Sequence, residues 1–452
     1  MTATPSEAPL DAARHIRYWQ RCFRSLLPHH YTSNDSIRLT LGYFILASLD
    51  LLSPSSPEPL ISPEDRARLR TWVLSLQHPH GGFCGSPHHV LPQRYTTRFD
   101  FDKEIEVARD PANANIAATV FALLALGTLA EGDGSDAFDG VDRLRTLRWL
   151  RKLQREDGSF GEVITEDGYI GGGRDMRYCY IAAMIRWALG GSEGHGAEDF
   201  DVDALVGYIR RGQTFDGGLS ESSTHESHSG YAYCGVAALA LLDLANPDPS
   251  AKPDHYIRAG IPSIPSLIHF LANRQFIYSD ESENDENEDE DNPTTNPEIP
   301  DLSSLSMSEE SITGFNGRLN KAADTCYAWW VSGALSLLGH RELIDRGPAR
   351  RFLLEKTQHV IGGFAKHPGG PPDVYHAYMG LAALATLGDE EGLKKFDPRI
   401  CASVDVAEKI ARARETLIRR DEERERERES DDDDDGDSDS REDISATSDD
   451  DE

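Results

Sequence analysis

Apolar residues recur along this chain at helical spacing, in pairs of segments joined by a turn that contains glycine. The first segment of each pair mixes apolar with charged residues, whereas the second is rich in alanine and apolar nearly all round. The turns share glycine followed by an aromatic residue or leucine: Gly81-Gly82-Phe83, Gly158-Ser159-Phe160, Gly217-Gly218-Leu219, Gly314-Phe315 and Gly362-Gly363-Phe364. Self-similarity of this kind predicts a repeat of helix pairs.

Two layers of helices are expected from this pattern. A helix that is apolar nearly all round is expected inside the fold, and one with a charged face outside it. No segment alternates apolar and polar residues over the length of a strand. We therefore predict an all-α fold in which two concentric helix layers close into an α/α barrel, with the turns gathered at one end. The pattern alone leaves an open solenoid as the alternative.

The formal net charge of −32 is concentrated in two acidic segments with little apolar content. Such segments cannot bury enough apolar surface to fold. We therefore predict that 279–311 is a disordered insert and 421–452 a disordered tail, although the run ERERERE is able to prolong the last helix. With a flexible N-terminus at 1–12, the folded domain is predicted to be 13–420. No basic stripe is present, which argues against nucleic acid as a partner.

Cysteine usage and hydropathy bear on the compartment. Six cysteines are scattered without paired spacing, and the N-terminus has no charged-then-apolar signal pattern. The longest apolar run, 116–130, is shorter than the roughly 20 residues that a membrane-spanning helix needs. We expect a cytoplasmic protein with free thiols and no transmembrane segment.

Two corresponding helix starts carry a predicted metal site. Asp324 stands where an N-cap is expected, which places its carboxylate and the thiol of Cys326 at one helix start. In the next repeat Asp373 is the expected N-cap and His376 lies in the first turn. Carboxylate, thiolate and imidazole suit Zn²⁺, and three protein ligands leave a fourth position open, as in catalytic zinc sites. The alternative is that Asp324, Cys326 and His376 are unrelated.

Hydrogen-bond donors suited to phosphate groups surround this predicted site. Arg318 and Lys321 precede Asp324, His228 lies at the same turn-to-helix position of another repeat, and Lys366 follows a glycine turn. If they converge on one rim, these residues form a cradle for a diphosphate without a P-loop. The alternative is a solvated basic rim that is paired with ordinary carboxylates.

These segments resemble the β subunits of protein prenyltransferases, and most of all those of geranylgeranyltransferase type I. The resemblance is carried by HIRYWQRCFRSLLPHHYTSNDSIRLTLGYFILASLDLL, DMRYCYIAAM, YIRRGQTFDGGL, ESHSGYAYCG, GFNGRLNKAADTCYAWW and GGFAKHPGGPPDVYHAYMGLAAL. It covers about residues 15–387, apart from the acidic insert and residues 86–112.

The resemblance implies roles for individual residues. Asp324, Cys326 and His376 would bind zinc. The diphosphate of the prenyl donor would be held by His228, Arg318, Lys321 and Tyr327. The central cavity near the lipid and the acceptor peptide would be lined by Arg177 and Tyr180, with Trp330 beside the lipid and Tyr375 near the peptide cysteine.

Two further positions bear on the choice of donor. Lys366 stands where the farnesyl enzymes of this family have an aspartate that helps to bind Mg²⁺, so its ammonium would make that ion dispensable. Thr40 stands where they have a tryptophan that closes the lipid pocket, so it would leave room for one more isoprene unit. Both residues imply geranylgeranyl diphosphate as the donor. Tyr375 resembles the farnesyl enzyme, which is therefore the alternative.

The implied reaction is transfer of the geranylgeranyl group to the cysteine of C-terminal CaaX motifs, with X Leu or Phe, on small GTPases of the Rho type. A zinc-activated thiolate would be the nucleophile. The resemblance also implies an obligate heterodimer with a helical α subunit. A terpene cyclase with an α/α barrel is a distant alternative, because the Asp runs of this chain lie in the insert and the tail and not at the predicted cavity.

Overall fold

A computed structural model describes residues 9–87, 97–100, 105–108 and 114–435, with gaps at 166–167, 192, 195, 247–249, 251, 280–310 and 389–391. The helices of these ranges are α1 (Ala12–Arg24), α2 (Arg38–Leu51), α3 (Pro63–Leu74), α4 (Ile116–Leu129), α5 (Arg143–Lys152), α6 (Met176–Leu189), α7 (Val202–Arg211), α8 (Ser229–Leu244), α9 (His255–Gly260), α10 (Ile264–Ala272), α11 (Thr325–Leu337), α12 (Arg346–Arg351), α13 (Val374–Thr386) and α14 (Val404–Asp435). Short 3₁₀ segments occupy His29–Ile37, Ser53–Ser55 and Arg341–Leu343, and a π-helical turn at Phe352–Thr357 continues α12.

The apolar helices of the repeats form a closed inner ring. Helices α2, α4, α6, α8, α11 and α13 each contact the next in that order, and α13 returns to contact α2. Most of their side chains are buried, as expected for helices that are apolar on nearly every face. Because an open solenoid would leave its first and last helices apart, this closure confirms the predicted α/α barrel.

The glycine-containing turns connect the outer helices to the ring in the same way in several repeats. A glutamine at the end of the outer helix pairs through an isolated β-bridge with the residue that follows the glycines: Gln77 with Phe83, Gln154 with Phe160, Gln213 with Leu219 and Gln358 with Phe364. The residue after the glycines is fully buried in each case. The sequence signal of glutamine and Gly-aromatic therefore corresponds to one repeated backbone arrangement.

The last of these turns lies against the first helix of the chain. Gly362 has a φ of +90°, and a Cβ atom there would be 2.6 Å from the carbonyl oxygen of Arg14 in α1. Beside it, the backbone N–H of Gly363 donates to Nδ1 of the buried His15 at 3.2 Å. The other ring nitrogen of His15 lies 2.9 Å from Oε1 of Gln358. These contacts join the last repeat to the first helix and thereby close the outer layer.

The strands of the described residues form two-stranded antiparallel hairpins. These are β1 (Thr97–Asp100) with β2 (Ile105–Ala108), β3 (Val163–Ile164) with β4 (Ile170–Gly171), β5 (Gln275–Ile277) with β6 (Thr313–Phe315), and β7 (Phe396–Asp397) with β8 (Ala402–Ser403). The predicted insert at 279–311 falls between β5 and β6, and its residues 280–310 lie outside the described part of the chain.

The segment between β7 and β8 enters the interior of the ring. Its backbone carbonyl groups accept hydrogen bonds from tyrosine hydroxyls on four inner helices: Tyr43 and Tyr378 donate to Cys401, Tyr180 donates to Arg399, and Tyr233 donates to Pro398. Helix α14 follows and crosses the C-terminal ends of α4 and α6, where Gly127 and Gly190 allow Ile410 and Ile418 to approach closely. The segment between β7 and β8 therefore enters the ring from the end that carries the C-termini of the inner helices.

The last helix includes the run ERERERE, which the sequence pattern allowed to prolong it. Helix α14 continues to Asp435, past the position 421 at which a disordered tail was expected to begin. Ion pairs one helical turn apart, such as Arg419 with Glu423 and Arg426 with Glu422, support the helix in this region. Residues 436–452 of the predicted tail and 1–8 of the predicted flexible N-terminus lie outside the described residues. Among the described helices, none is both long and apolar enough to cross a membrane.

Candidate metal centre and cavity

The N-terminal ends of α8, α11 and α13 carry the chemistry-bearing residues, and each end is capped by a side chain. The Asp324 carboxylate accepts from the backbone N–H of Cys326 at 2.8 Å, and the Asp373 carboxylate accepts from that of His376 at 2.9 Å. In α8 the ring nitrogen Nδ1 of His228 accepts from the N–H of Gly230 at 3.0 Å. Capping therefore fixes the orientation of each functional side chain at its helix start.

The sequence-predicted metal ligands meet in the folded chain. Ligand atoms of Asp324, Cys326 and His376 all lie within 4.8 Å of one another, and Nε2 of His376 is 3.3 Å from Oδ1 of Asp324. On its other side, Nδ1 of His376 is 2.6 Å from Oδ2 of Asp373. A carboxylate that holds the far nitrogen of a histidine is the usual support for a metal-binding imidazole. The donor set and this support fit a zinc ion.

The charges at the centre depend on one another. Burial opposes ionisation of Asp324, but hydrogen bonds from His376 and Cys326 outweigh it and lower the pKa of the carboxyl group. Burial and the neighbouring Asp324 carboxylate raise the pKa of the Cys326 thiol well above its ordinary value. Burial opposes protonation of His376 too, yet the two aspartates raise its pKa to about 9. Imidazole and thiol side chains bind a metal only in their deprotonated forms, so binding of a metal ion here would displace the protons of His376 and Cys326.

A cavity of about 360 Å³ opens beside the centre. It is lined by Arg177, His228, Gly230, Tyr231, Asp324, Cys326, Tyr327, Trp330, Lys366, Tyr375 and His376. These residues come from α6, α8, α11, α13 and the loop before α13, so the N-terminal ends of four inner helices meet around one space. Nζ of Lys366 lies 3.9 Å from Oδ2 of Asp324, at the boundary between the metal centre and the cavity.

Donors for an anionic group face one side of this cavity. Nε2 of His228 lies 3.1 Å from the hydroxyl oxygen of Tyr327. Burial, followed by the charges of Arg318 and Arg177, lowers the pKa of His228 to about 4, so this imidazole is neutral at pH 7. The backbone N–H of Ser229 donates to the carbonyl oxygen of Gly317 at 2.9 Å. This bond holds the start of α8 to the loop that precedes α11.

Aromatic side chains form another part of the cavity wall. Trp330 donates its indole N–H to the hydroxyl oxygen of Tyr375 at 3.2 Å. The ring of Tyr375 lies 5.9 Å from that of Phe44 in α2. Thr40 is half-buried and lies one helical turn before Phe44, on the same face of α2. This places Thr40 on the inner face of the ring but outside the wall of the cavity.

The remaining predicted residues lie on the rim of the cavity, deeper in the ring, or on the cavity wall. Arg318 and Lys321 lie on the rim outside the cavity wall; Arg318 pairs with Glu226, and Lys321 is exposed. Tyr180 lies deeper in the ring, with its hydroxyl 3.0 Å from that of Tyr233. Arg177 does line the cavity, and its guanidinium forms a two-point contact with Asp175.

Sequence reasoning missed some of the residues that shape this site. Tyr231 and Gly230 line the cavity, and Asp373 contacts His376 in addition to capping α13. The signal for Asp373 was present, since it lies three residues before His376 on a helix start. Tyr231 offered no comparable signal, because an aromatic residue in an apolar helix is ordinarily part of the core.

Comparison with known proteins shows the family to which this chain belongs. The family described as the prenyltransferase alpha-alpha toroid domain matches residues 10–402. A geranylgeranyl transferase type-1 subunit beta of Arabidopsis thaliana is 30% identical over 414 residues, covering 88% of this chain and 90% of that protein. The corresponding subunit of Dictyostelium discoideum is 26% identical over 391 residues, covering 82% and 88%.

A solved structure has the same fold. The protein geranylgeranyltransferase-I of Candida albicans, complexed with GGPP, aligns with a TM-score of 0.65 and 24% identity, covering 89% of this chain and 98% of that chain. The family match covers most of the chain, and the closed double ring of helices is the architecture that the family description names. This chain therefore belongs to the prenyltransferase α/α-toroid family.

Proposed function

We propose that this chain is the catalytic β subunit of a protein geranylgeranyltransferase type I. It transfers a geranylgeranyl group from geranylgeranyl diphosphate to the cysteine of C-terminal CaaX motifs in which X is Leu or Phe. The observation that carries the proposal is the meeting of Asp324, Cys326 and His376 beside a cavity that also presents Lys366. The type-1 β subunits among the relatives support it.

Asp324, Cys326 and His376 would hold one zinc ion. When bound, Zn²⁺ supplies the positive charge that favours the thiolate form of the acceptor cysteine at neutral pH. Asp373 keeps the His376 ring in the orientation that a ligand needs, through the contact between its carboxylate and Nδ1. Burial of Asp324 and Cys326 excludes water from their side of the centre, which strengthens the electrostatic interactions there.

The leaving diphosphate is the group that gains negative charge during transfer. His228 and Tyr327 present donors on the cavity wall, Lys366 presents a cation, and Arg318 and Lys321 approach from the rim. Donors that are already in place stabilise developing charge at little cost in reorganisation. The ammonium of Lys366 supplies the charge that a magnesium ion provides elsewhere, so the reaction proceeds without added Mg²⁺.

The lipid and the peptide share the remaining surface. Trp330 flanks the lipid, Tyr375 lies near the acceptor cysteine, and Arg177 and Tyr180 contact the lipid and peptide from α6. Apolar walls with a few polar groups are typical of sites that bury a small molecule. A threonine at position 40 leaves room at the end of the lipid for a fourth isoprene unit.

The remaining parts of the proposal concern partners and chain organisation. The β subunit works as an obligate heterodimer with a helical α subunit, in the cytoplasm, on small GTPases of the Rho type. Residues 13–420 form the toroid domain, and the acidic insert at 279–311 and the acidic tail at 421–452 are additions to it.

A protein farnesyltransferase β subunit is the second candidate, and Tyr375 favours it. The hydroxyl of Tyr375 accepts a hydrogen bond from the indole N–H of Trp330, and both side chains line the cavity. Because this bond holds the tyrosine ring in the wall, Tyr375 takes up space near the metal centre. Lys366 and Thr40 favour the longer donor. The type-1 assignment is preferred because these two residues act on the diphosphate and on the length of the lipid.

Co-expression with an α subunit tests the proposal. The purified heterodimer is offered equimolar geranylgeranyl and farnesyl diphosphate, with CaaL and CaaS peptides in separate reactions. We expect geranylgeranylated CaaL peptide as the main product by mass spectrometry, in magnesium-free buffer. Farnesylated CaaS peptide as the main product would select the second candidate, and no prenylated peptide would overturn both.

A further inference from the structure

A carboxylate on the rim of the cavity faces one of the cations proposed to bind the diphosphate. Oε2 of Glu226 lies 2.9 Å from Nη1 of Arg318. The two residues are 92 positions apart in the sequence, and they meet because α8 and α11 are neighbours in the inner ring. Glu226 also lies two residues before His228, so a negative charge is present within a set of groups otherwise suited to an anion.

The pair is exposed enough to exchange partners. The side chain of Arg318 is 43% exposed and that of Glu226 is 57% exposed. An ion pair that water reaches on this scale contributes only about 0–1 kcal/mol, because solvent screens both charges. A diphosphate offers several charged oxygens to one guanidinium and forms stronger, two-point contacts. Arg318 can therefore leave Glu226 for a diphosphate.

The backbone on both sides of the pair is held in place. Ser227, next to Glu226, donates its hydroxyl to Oδ2 of Asp216 at 2.5 Å. Ser229 donates its backbone N–H to the carbonyl oxygen of Gly317, next to Arg318, at 2.9 Å. The first bond fixes the segment of Glu226 to the turn at Asp216, and the second ties it to the segment of Arg318. Glu226 therefore stays within reach of the guanidinium while a diphosphate occupies it.

Arg318 differs in this respect from the donors on the cavity wall. His228 and Tyr327 contact each other and line the cavity, whereas Arg318 lies on the rim with its guanidinium directed to a carboxylate. A diphosphate that takes both Nη atoms of Arg318 thus displaces Glu226 from Nη1. Departure of the diphosphate allows that contact to form again.

We propose that Glu226 is a built-in competitor of the diphosphate for Arg318, and that it assists release of the inorganic diphosphate product. This inference rests on the proposed function. With the donor bound, Arg318 pairs with phosphate oxygens; after transfer, Glu226 competes for the guanidinium and weakens the hold on the product. The carboxylate of Glu226 lowers the affinity of the site for diphosphate, and the product therefore dissociates faster.

Substitution of Glu226 by glutamine tests this role in the heterodimer with an α subunit. Binding of inorganic diphosphate is measured by titration calorimetry in magnesium-free buffer, and its inhibition constant is measured against the prenyl donor. We expect Glu226→Gln to lower the dissociation constant and the inhibition constant of diphosphate about three- to fivefold, since an interaction of at most roughly 1 kcal/mol is removed from the competition. The KM for the CaaX peptide should not change.

Glu221 provides a matched control on the same loop. Its carboxylate lies 3.1 Å from Nε2 of His225 and does not contact Arg318. Glu221→Gln removes the same charge from the same loop, so we expect it to change diphosphate affinity by less than about twofold, as a screened charge does. An equal effect of the two variants would overturn a specific role for Glu226.

Combination with Arg318→Gln makes the test specific to the pair. If Glu226 acts through Arg318, adding Glu226→Gln to Arg318→Gln leaves the dissociation constant of diphosphate unchanged. An unchanged or raised dissociation constant in the single variant Glu226→Gln contradicts the inference. A heterodimer that transfers no prenyl group would instead contradict the proposed function, and calorimetry with diphosphate would still decide the role of Glu226.

Discussion

Thr325, the first residue of α11, donates its backbone N–H to the carbonyl oxygen of Lys366 at 3.0 Å. The hydroxyl of Thr325 donates to the carbonyl oxygen of Ala365 at 2.6 Å. On the other side, Nδ1 of His367 lies 2.6 Å from the carbonyl oxygen of Ala323. Residues on both sides of Asp324 are thus joined to residues on both sides of Lys366. The position of the Lys366 backbone relative to the metal centre is therefore set by these contacts.

Removal of the Thr325 hydroxyl should disturb this link. Thr325→Val keeps the shape of the side chain but leaves the buried carbonyl of Ala365 without that donor, so we expect the free energy of unfolding to fall by about 1–2 kcal/mol. The KM for the prenyl donor should rise because Lys366 is less well placed. Chemical denaturation and steady-state kinetics measure the two effects.

Thr386 offers a control for that variant. Its hydroxyl is buried and donates within α13 to Ala382 at 2.8 Å, away from the metal centre. Thr386→Val should lower the free energy of unfolding in a similar way while the KM for the donor stays the same. A similar rise of KM in both variants would show that Thr325 has no special relation to Lys366.

Replacement of Cys326 should remove the metal together with turnover. Cys326→Ala leaves two of the three proposed ligands, and we expect zinc content by elemental analysis to fall to the background of the assay. Cys234→Ala, in the buried face of α8, should keep its zinc because Cys234 is not part of the centre. Full turnover in a zinc-free Cys326→Ala heterodimer would contradict the proposed centre.

Exchange of Lys366 for aspartate should create a dependence on magnesium. The new carboxylate would lie close to Asp324 and the diphosphate and would favour a divalent cation between them. We expect activity of Lys366→Asp to rise with millimolar Mg²⁺, whereas Lys366→Ala loses activity that Mg²⁺ does not restore. A flat magnesium titration of Lys366→Asp would count against this role of Lys366.

A larger side chain at position 40 should shorten the lipid that the enzyme accepts. Thr40→Trp places an indole on the inner face of α2, one turn from Phe44, where it would occupy the space of the fourth isoprene unit. In a donor competition assay we expect a shift toward farnesyl diphosphate. Thr71→Trp, at an exposed position of α3, should leave the donor ratio unchanged. An unaltered ratio in Thr40→Trp would exclude Thr40 from donor selection.

The stability that the buried His15 contributes to the fold should depend on pH. Burial lowers the pKa of His15 from 6.5 to about 4. Between these values the unfolded chain binds more protons than the folded chain, so the stability due to neutral His15 is full above pH 6.5 and is lost as the pH falls toward 4. The shift corresponds to about 3 kcal/mol at most. Thermal unfolding at pH 7 and pH 5 should show a smaller difference for His15→Asn than for the wild type.

Much of the fold could be predicted because the signals were local and repeated. The glutamine and the Gly-aromatic turn recur with the same β-bridge, and the N-caps Asp324 and Asp373 place Cys326 and His376 at corresponding helix starts. Because equivalent positions of successive repeats lie at the same end of the barrel, a motif that recurs in the sequence predicts which residues lie near one another. The meeting of Asp324, Cys326 and His376 was therefore predictable from the sequence.

Other features depend on contacts between distant segments, which local patterns do not report. Arg318 lies on the rim of the cavity, and its contact with Glu226 arises because two inner helices are neighbours, so no local sequence pattern reported this partner. Tyr180 lies deeper in the ring than the wall of this cavity, where its hydroxyl donates to the backbone carbonyl of Arg399 in the segment that enters the ring. Helix α14 extends into a segment whose composition is typical of disorder, and ion pairs such as Arg419 with Glu423 lie along it.

The contact of Gly362 with α1 bears on how the molecule unfolds. A linear array of helix pairs has two outermost units that can fray one at a time, but in this chain every unit has a neighbour on both sides. Loss of any one unit exposes the flanks of two others. We therefore expect thermal melting of the toroid to be a single all-or-none transition, and deletion of either terminal helix pair to destabilise the whole domain.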